Sequence, residues 1–301
     1  MDQAEDLPLN PARPVLTEAI RQVLSAHIEQ LCGIHLGPEK AYLLEHRLTP
    51  LINRYKLAGF EGLKERLVNR LDPEIRDRVI EAVATHETAF FRDRHPFEAL
   101  RLTVLPQAAK RWQATRDSLG QRPRPIRIWS AACSSGQEPW SVAMAIQEWL
   151  PLCGVPGLAQ GDFSILATDL SPPVLSQARE GIYTEAEVAR GLTTGQRARF
   201  TVQLPGPKPR FQIKPELRAM VEFRCVNLLE NAKGLGLFDV ILCRNVLIYF
   251  TDALKRQICE MFHSMLMPGG YLILGAAESL FGITESFQTE RAGDTLLFRK
   301  P

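Results

Sequence analysis

Residues 126–139 of the 301-residue chain read IRIWSAACSSGQEP: a short apolar run, a turn of small residues, and an acid where a helix begins. Small side chains let a ligand approach the backbone closely. The turn is not a G-x-G-x-x-G fingerprint and lacks the lysine of a phosphate loop. Glu138 at this place repels a pyrophosphate and suits a cationic ligand. A second reading of the same residues makes Ser135-x-x-Glu138 a capping box that merely starts the helix. The next apolar run, FSILAT, ends at Asp169. An acid there accepts both hydroxyl protons of a ribose, although Asp169-Leu170-Ser171-Pro172 also fits a loop that caps the following helix. Together the two strand ends describe a site for an adenosine-type cofactor. S-adenosylmethionine, with its sulfonium and ammonium groups, has the right sign of charge.

The elements that must position these residues alternate. Strands are expected at 126–129, 163–168, 238–243, 271–274 and 295–298, with helices at 138–150, 172–180 and 252–267. Such alternation means an α/β domain with a largely parallel sheet, which binds ligands at the carboxyl ends of its strands. Between about 192 and 224 the pattern breaks into a proline-rich, basic stretch with short β-like runs at 200–202 and 211–213, read as a small β insertion. The N-terminal part differs in texture. Apolar residues recur at helical spacing from Val15 to Gly33. Further helices are expected at 38–47, at 49–56 with Thr49 as cap and Pro50 at the first position, and at 60–71 and 73–84. The domain plan is a flexible start (1–14), a helical domain (15–84), a linker and beginning of the catalytic domain (85–122), and the α/β domain (123–301).

Composition narrows the function classes. The net charge of +2 argues against a dedicated nucleic-acid binder. No run of about 18 apolar residues exists, so no membrane insertion is expected. The opening MDQAEDLPLNPARP lacks the basic-then-apolar pattern of a secretion signal, which predicts a cytoplasmic protein. Six cysteines are scattered without a C-x-x-C pair, the pattern of free thiols. Cys32 and His35 have a ligand-like spacing, but no second pair completes a metal site, so none is expected.

Four segments turn this reading into a resemblance: residues 85–92 (THETAFFR), 129–141 (WSAACSSGQEPWS), 226–229 (VNLL) and 243–250 (CRNVLIYF). In this order and spacing they closely resemble the CheR family, the glutamate O-methyltransferases of methyl-accepting chemotaxis receptors, over residues 16 to 299. The resemblance implies a class I, Rossmann-like S-adenosylmethionine methyltransferase domain behind a small all-helical domain, with a β insertion. It places Thr88, Arg92, Glu138, Asp169, Asn227, Leu228, Arg244 and Asn245 around the cofactor. Asp169 takes the ribose, Asn227 and Leu228 lie near the adenine, and Asn245 closes the methionine end. Arg92 and Tyr249 stand at the transferred methyl as the catalytic pair. His86 departs from the family's usual asparagine; both residues can donate a hydrogen bond, and His86 is counted with the cofactor residues. Gln137 replaces a common glutamate.

The implied partner is the cytoplasmic domain of a chemoreceptor, with docking of the receptor's C-terminal peptide on the β insertion as a family variant; the products are a glutamyl methyl ester and S-adenosylhomocysteine. Lys40, Arg47 and Arg54 recur every seven residues, and they face acidic receptor helices if their helix is continuous; a solvated face is the alternative. A carboxylate nucleophile needs no base at neutral pH, and no Ser-His-Asp or Cys-His arrangement is evident. The other classes weighed are an NAD-linked oxidoreductase, which the first turn disfavours, and a regulatory module without catalysis, expected to have lost Arg92 or Tyr249.

Overall fold

The structure, a computed structural model, describes residues 14–230 and 232–301. The stretch 1–13, expected to be loosely attached, lies outside them. The chain divides into a unit ending at Ala84 and a unit from Thr85 to Pro301.

The first unit is helical. Helix Glu18–Cys32 is capped by the Thr17 hydroxyl, which accepts from Ile20 N, and it stops at Gly33, whose φ of 79° few other residues tolerate. Helices Ala41–Arg54, Gly59–Lys64 and Pro73–Val83 follow. Their stripes Leu24/Ile28, Leu44/Leu48/Ile52 and Ile75/Val79 are buried and form the core of the unit. Two expectations are corrected here. Pro50 does not start a new helix but lies inside Ala41–Arg54. A mid-helix proline costs about 3 kcal/mol, and burial of Leu48, Leu51 and Ile52 around it offsets that cost. Thr49 is not a cap either: its hydroxyl donates back to Glu45 O at 2.6 Å. Of the three basic residues spaced by seven, Arg54 is exposed, whereas Arg47 and Lys40 are engaged within the unit. The Arg47 guanidinium donates to the carbonyls of Val83 and Ala84, the latter at 3.1 Å, so it caps the end of helix Pro73–Val83. Lys40 Nζ donates to His35 O at 3.4 Å. His35 itself pairs with Glu29 at 2.8 Å and the Cys32 thiol donates to Ile28 O, so the two residues with ligand-like spacing are engaged separately.

In the second unit the strands are β1 (Ile126–Ala131), β2 (Phe163–Asp169), β3 (Ile182–Thr184), β4 (Thr201–Leu204), β5 (Arg210–Ile213), β6 (Val221–Cys225), β7 (Phe238–Cys243), β8 (Leu266–Leu274), β9 (Gln288–Ala292) and β10 (Thr295–Arg299). Seven of them form one sheet in the order β6-β2-β1-β7-β8-β10-β9. The pairs β6-β2, β2-β1, β1-β7 and β7-β8 are parallel, and β10 is antiparallel to both its neighbours. Strand alternation supplies two cores. Ile128, Val240, Leu242 and Ile273 pack on one face, and Trp129, Ile241, Cys243 and Leu272 on the other. The order reverses at β1, so the carboxyl ends of β1, β2 and β7 flank the switch point where such sheets bind ligands.

The small sheet β3-β5-β4 begins at Ile182, ahead of the boundary drawn at 192. Val221–Cys225, which that boundary assigned to the insertion, is an edge strand of the large sheet. The stretch 85–122, read as a linker and the start of the catalytic domain, contains helix Leu105–Leu119, seated by buried Leu105, Ala108, Ala109 and Trp112.

Candidate active site

The turn after β1 is shaped by three backbone positions with positive φ: Ala132 (55°), Ser134 (52°) and Gly136 (93°). Such angles are unfavourable for L-residues and persist only where the surroundings over-determine them. Here they do. Cys133 N donates to Thr168 O at 2.8 Å, Ser134 N to Asp169 Oδ2 at 2.8 Å, and the Tyr183 phenol to Ser135 O at 2.6 Å. At Gly136 an added Cβ would lie 2.9 Å from Ala178 Cβ and 3.0 Å from the Tyr183 hydroxyl, so glycine is required by space as well as by angle. Asp169 Oδ1 accepts from Ser171 N at 3.0 Å. The carboxylate thus shapes the turn with one lone pair on each oxygen and keeps the others for hydroxyl donors.

Glu138 is not a capping residue. Gly136 is the cap of helix Gln137–Trp149, without a side-chain hydrogen bond, and the Ser135 hydroxyl turns to Gln137 Oε1. The Glu138 carboxylate accepts from Ser130 Oγ at 2.7 Å and from Arg244 Nη1 at 3.1 Å. Arg244, at the end of β7, is a buried bridge with a side chain only 1% exposed. Its Nη2 donates to Arg92 O at 2.6 Å and to Asp93 Oδ2 at 2.9 Å, and its guanidinium lies 5.3 Å from the Phe97 ring centre. The arginine therefore fixes the segment 85–94 against the strand ends. In that segment the Arg92 side chain is partly exposed and donates through Nη1 to Glu87 O at 3.0 Å. His86 O accepts from Ser134 Oγ at 2.9 Å. His86 Nε2 is buried with no hydrogen-bond partner among the described residues, and Thr88 is half-buried beside it in sequence.

Asn227 and Leu228 lie in the turn after β6. Asn227 Oδ1 accepts from Leu229 N at 3.1 Å, and Leu228 packs partly against the core face of Trp129. Asn245 has a φ of 59° and starts the loop after β7; Tyr249 ends the short 3-10 turn Leu247–Tyr249 and is half-buried against the same core. The sequence reading missed what holds this loop. Glu278, in the loop after β8, accepts backbone N–H groups from Asn245 (2.7 Å), Val246 (2.8 Å), Ile248 (3.3 Å) and Gly275 (2.7 Å). Its signal was an acid shortly after a strand end, the same signal that marked Asp169. Asp93 and Tyr183 were missed as well, because their partners are distant in sequence.

A sheet of this order, with an acid at the end of β2 and a turn of small residues after β1, defines a class I S-adenosylmethionine-dependent methyltransferase. The residues fit that cofactor: Asp169 retains acceptors for two hydroxyls, the first turn offers close backbone approach, and His86 Nε2 is a buried polar atom awaiting a partner. The profile of the CheR methyltransferase SAM binding domain matches residues 86–295, and that of the CheR methyltransferase all-alpha domain matches 22–84. The chain is 40% identical over 273 residues to chemotaxis protein methyltransferase Cher2 of Pseudomonas putida, covering 90% of this chain and 94% of the relative. It is 40% identical over 282 residues to chemotaxis protein methyltransferase 1 of Pseudomonas aeruginosa, covering 92% and 96%. The protein belongs to the CheR methyltransferase family. No helix of the described residues is long and apolar enough to cross a membrane.

Proposed function

We propose that the protein methylates glutamate side chains in the cytoplasmic domain of a methyl-accepting chemoreceptor, as the adaptation step of chemotaxis-type signalling. The relatives named chemotaxis protein methyltransferase support this substrate class. The observation that carries the reading is the setting of Arg92. Its backbone carbonyl is pinned by Arg244 and its Nη1 is spent on Glu87 O, which leaves the rest of the fork for a single anion. When bound, S-adenosylmethionine would supply a sulfonium methyl to which a carboxylate oxygen bonds as the C–S bond breaks, its electron pair staying on the sulfur of the departing S-adenosylhomocysteine. A glutamate side chain, with an ordinary pKa of about 4.3, arrives charged, so no residue need take a proton. Arg92 binds one carboxylate oxygen through a charge-assisted hydrogen bond and leaves the other to attack. Asp169 takes the ribose, Thr88, His86 and Asn245 the amino-acid end, and Asn227 and Leu228 the adenine. Glu138 and Arg244 neutralise each other and hold the frame. Tyr249 borders the reacting carboxylate.

Docking of a receptor's C-terminal peptide on the small sheet belongs to this proposal: β4 is an edge strand there, and Val202 on it is 49% exposed.

The test is methyl transfer from labelled S-adenosylmethionine to purified receptor cytoplasmic fragments, followed by base. Carboxyl esters release volatile methanol; methylated nitrogen does not. Volatile label that vanishes when the receptor's candidate glutamates become alanine is the expected result, and base-stable label would move the substrate to another class. Arg92→Ala should lower kcat by about 100-fold or more, as loss of a charge-assisted contact made in the transition state does. Near-normal turnover in that variant would remove Arg92 from the mechanism.

A further inference from the structure

Glu278 has no role in the reaction as derived so far. We propose that it is a positioning residue for methyl transfer: its carboxylate sets the backbone of residues 245–248, and through it the placement of Asn245 and Tyr249 at the reacting end of the cofactor. The inference rests on the methyltransferase reading above.

The geometry is unusual for a surface-loop acid. Oε2 accepts from Asn245 N and Gly275 N, both at 2.7 Å, and Oε1 accepts from Val246 N at 2.8 Å and Ile248 N at 3.3 Å. The donors that meet its charge here are all backbone N–H groups. Asn245, the first residue of the set, stands at a φ of 59°, which a non-glycine residue keeps only when something holds it. Gly275 completes the junction. A Cβ there would come within 2.8 Å of Asn245 N, Asn245 Nδ2 and Glu278 Oε2, so only glycine admits the carboxylate and the asparagine together. Both oxygens of Glu278 face pairs of N–H donors, and only an ionised carboxylate accepts on both sides. Glutamine has the same shape, yet whichever way its amide is turned, an NH2 meets two N–H groups. The loop then has to leave its conformation before the cofactor arrives. The binding energy lost is that of preorganisation rather than of a contact.

The closing experiment measures S-adenosylhomocysteine affinity by calorimetry for the full-length protein, Glu278→Gln, Asn245→Ala and the double variant. Melting temperatures and kinetics on a receptor fragment are recorded alongside. Leaving buried donors unsatisfied predicts an affinity loss of about 10–100-fold in Glu278→Gln. A fall in kcat should accompany it, with KM for the receptor within about twofold. Because Glu278 acts through Asn245, the double variant should bind within about twofold of the weaker single variant, the non-additivity of coupled neighbours. Glu278→Asp, which keeps the acceptors, should recover part of the affinity. Should Glu278→Gln fail to fold, Gly275→Ala disturbs the same junction from the other side and should give the same affinity loss. Fully additive losses, or wild-type affinity in a folded Glu278→Gln or Gly275→Ala, overturn the proposal. A wild-type protein that binds the cofactor product but esterifies no receptor would overturn the substrate and leave the binding cycle standing.

Discussion

The turn after β1 and the loop after β7 both hold strained backbone at the carboxyl end of a strand, and they are held differently. The first has positive φ at Ala132, Ser134 and Gly136, and three separate elements secure it: β2 through Thr168 and Asp169, the helix behind Gly136, and Tyr183 on β3. The second has its strain at Asn245 and hangs on one carboxylate. Distributed support tolerates the loss of any one member. Concentrated support does not, but it lets one side chain govern the geometry of the whole loop.

Arg244 joins the two regions, since it precedes Asn245 in sequence and grips Glu138 beside the first turn. The largest effect is expected there. Arg244→Ala leaves Glu138 and Asp93 without their cation and should cost about 3–5 kcal/mol, the usual penalty for stranding a buried charge. Urea unfolding checks it. Arg244→Ala/Glu138→Ala should be less damaging than Arg244→Ala alone, because the stranded charge is gone. A loss below about 1 kcal/mol in the single variant would mean that the pair is solvated and joins nothing.

Tyr183→Phe tests the distributed side of the comparison. The phenol is buried, burial pushes its pKa upward, and its hydroxyl donates to Ser135 O at 2.6 Å. Removing it leaves one carbonyl short of a donor and should cost about 1–2 kcal/mol of stability, with product affinity within a few fold of wild type. If it cuts affinity as deeply as Glu278→Gln, the contrast between the two regions is wrong.

How much of this was legible in the sequence depends on range. FDVILC announced β7 because both faces of the strand are buried. QTERA and VEFRC, the edge strands β9 and β6, are polar or mixed and carry no such pattern. Helix Leu105–Leu119 hides its stripe among alanines. Pro50 misled because tertiary packing overrode local preference. At the site, Asp169 and Glu138 were marked by residue type at a strand end. Their partners were not marked: Arg244 lies 106 residues from Glu138, and Glu278 lies 33 from Asn245. Local chemistry names a candidate, and only the fold says what that candidate is bonded to.

The smallest effect, and the one that reads both regions at once, lies in the thiols. Cys133 sits in the first turn and Cys243 at the end of β7, both buried, whereas Cys225 at the end of β6 is exposed. Burial pushes the Cys133 and Cys243 thiols well up, with Asp169 and Glu138 adding to the first and Glu278 to the second. Cys259 is pushed up to about 12 by the same cause. Only thiolates react with alkylating reagents, so native protein at pH 8 should label at Cys225 first. Cys133 and Cys243 should wait for their regions to open. Because the unfolded chain gives up the Cys259 proton from about pH 9 while the fold keeps it to about 12, stability is intact below pH 9 and falls as pH rises across that window. Labelling is therefore run below pH 9, followed by peptide mass spectrometry. Glu278→Gln should speed labelling of Cys243 several-fold and leave Cys133 nearly unchanged, while Tyr183→Phe should speed Cys133 by less. Equal acceleration of both cysteines in Glu278→Gln would mean that the whole sheet end loosens as a unit, and that the two regions are not held independently.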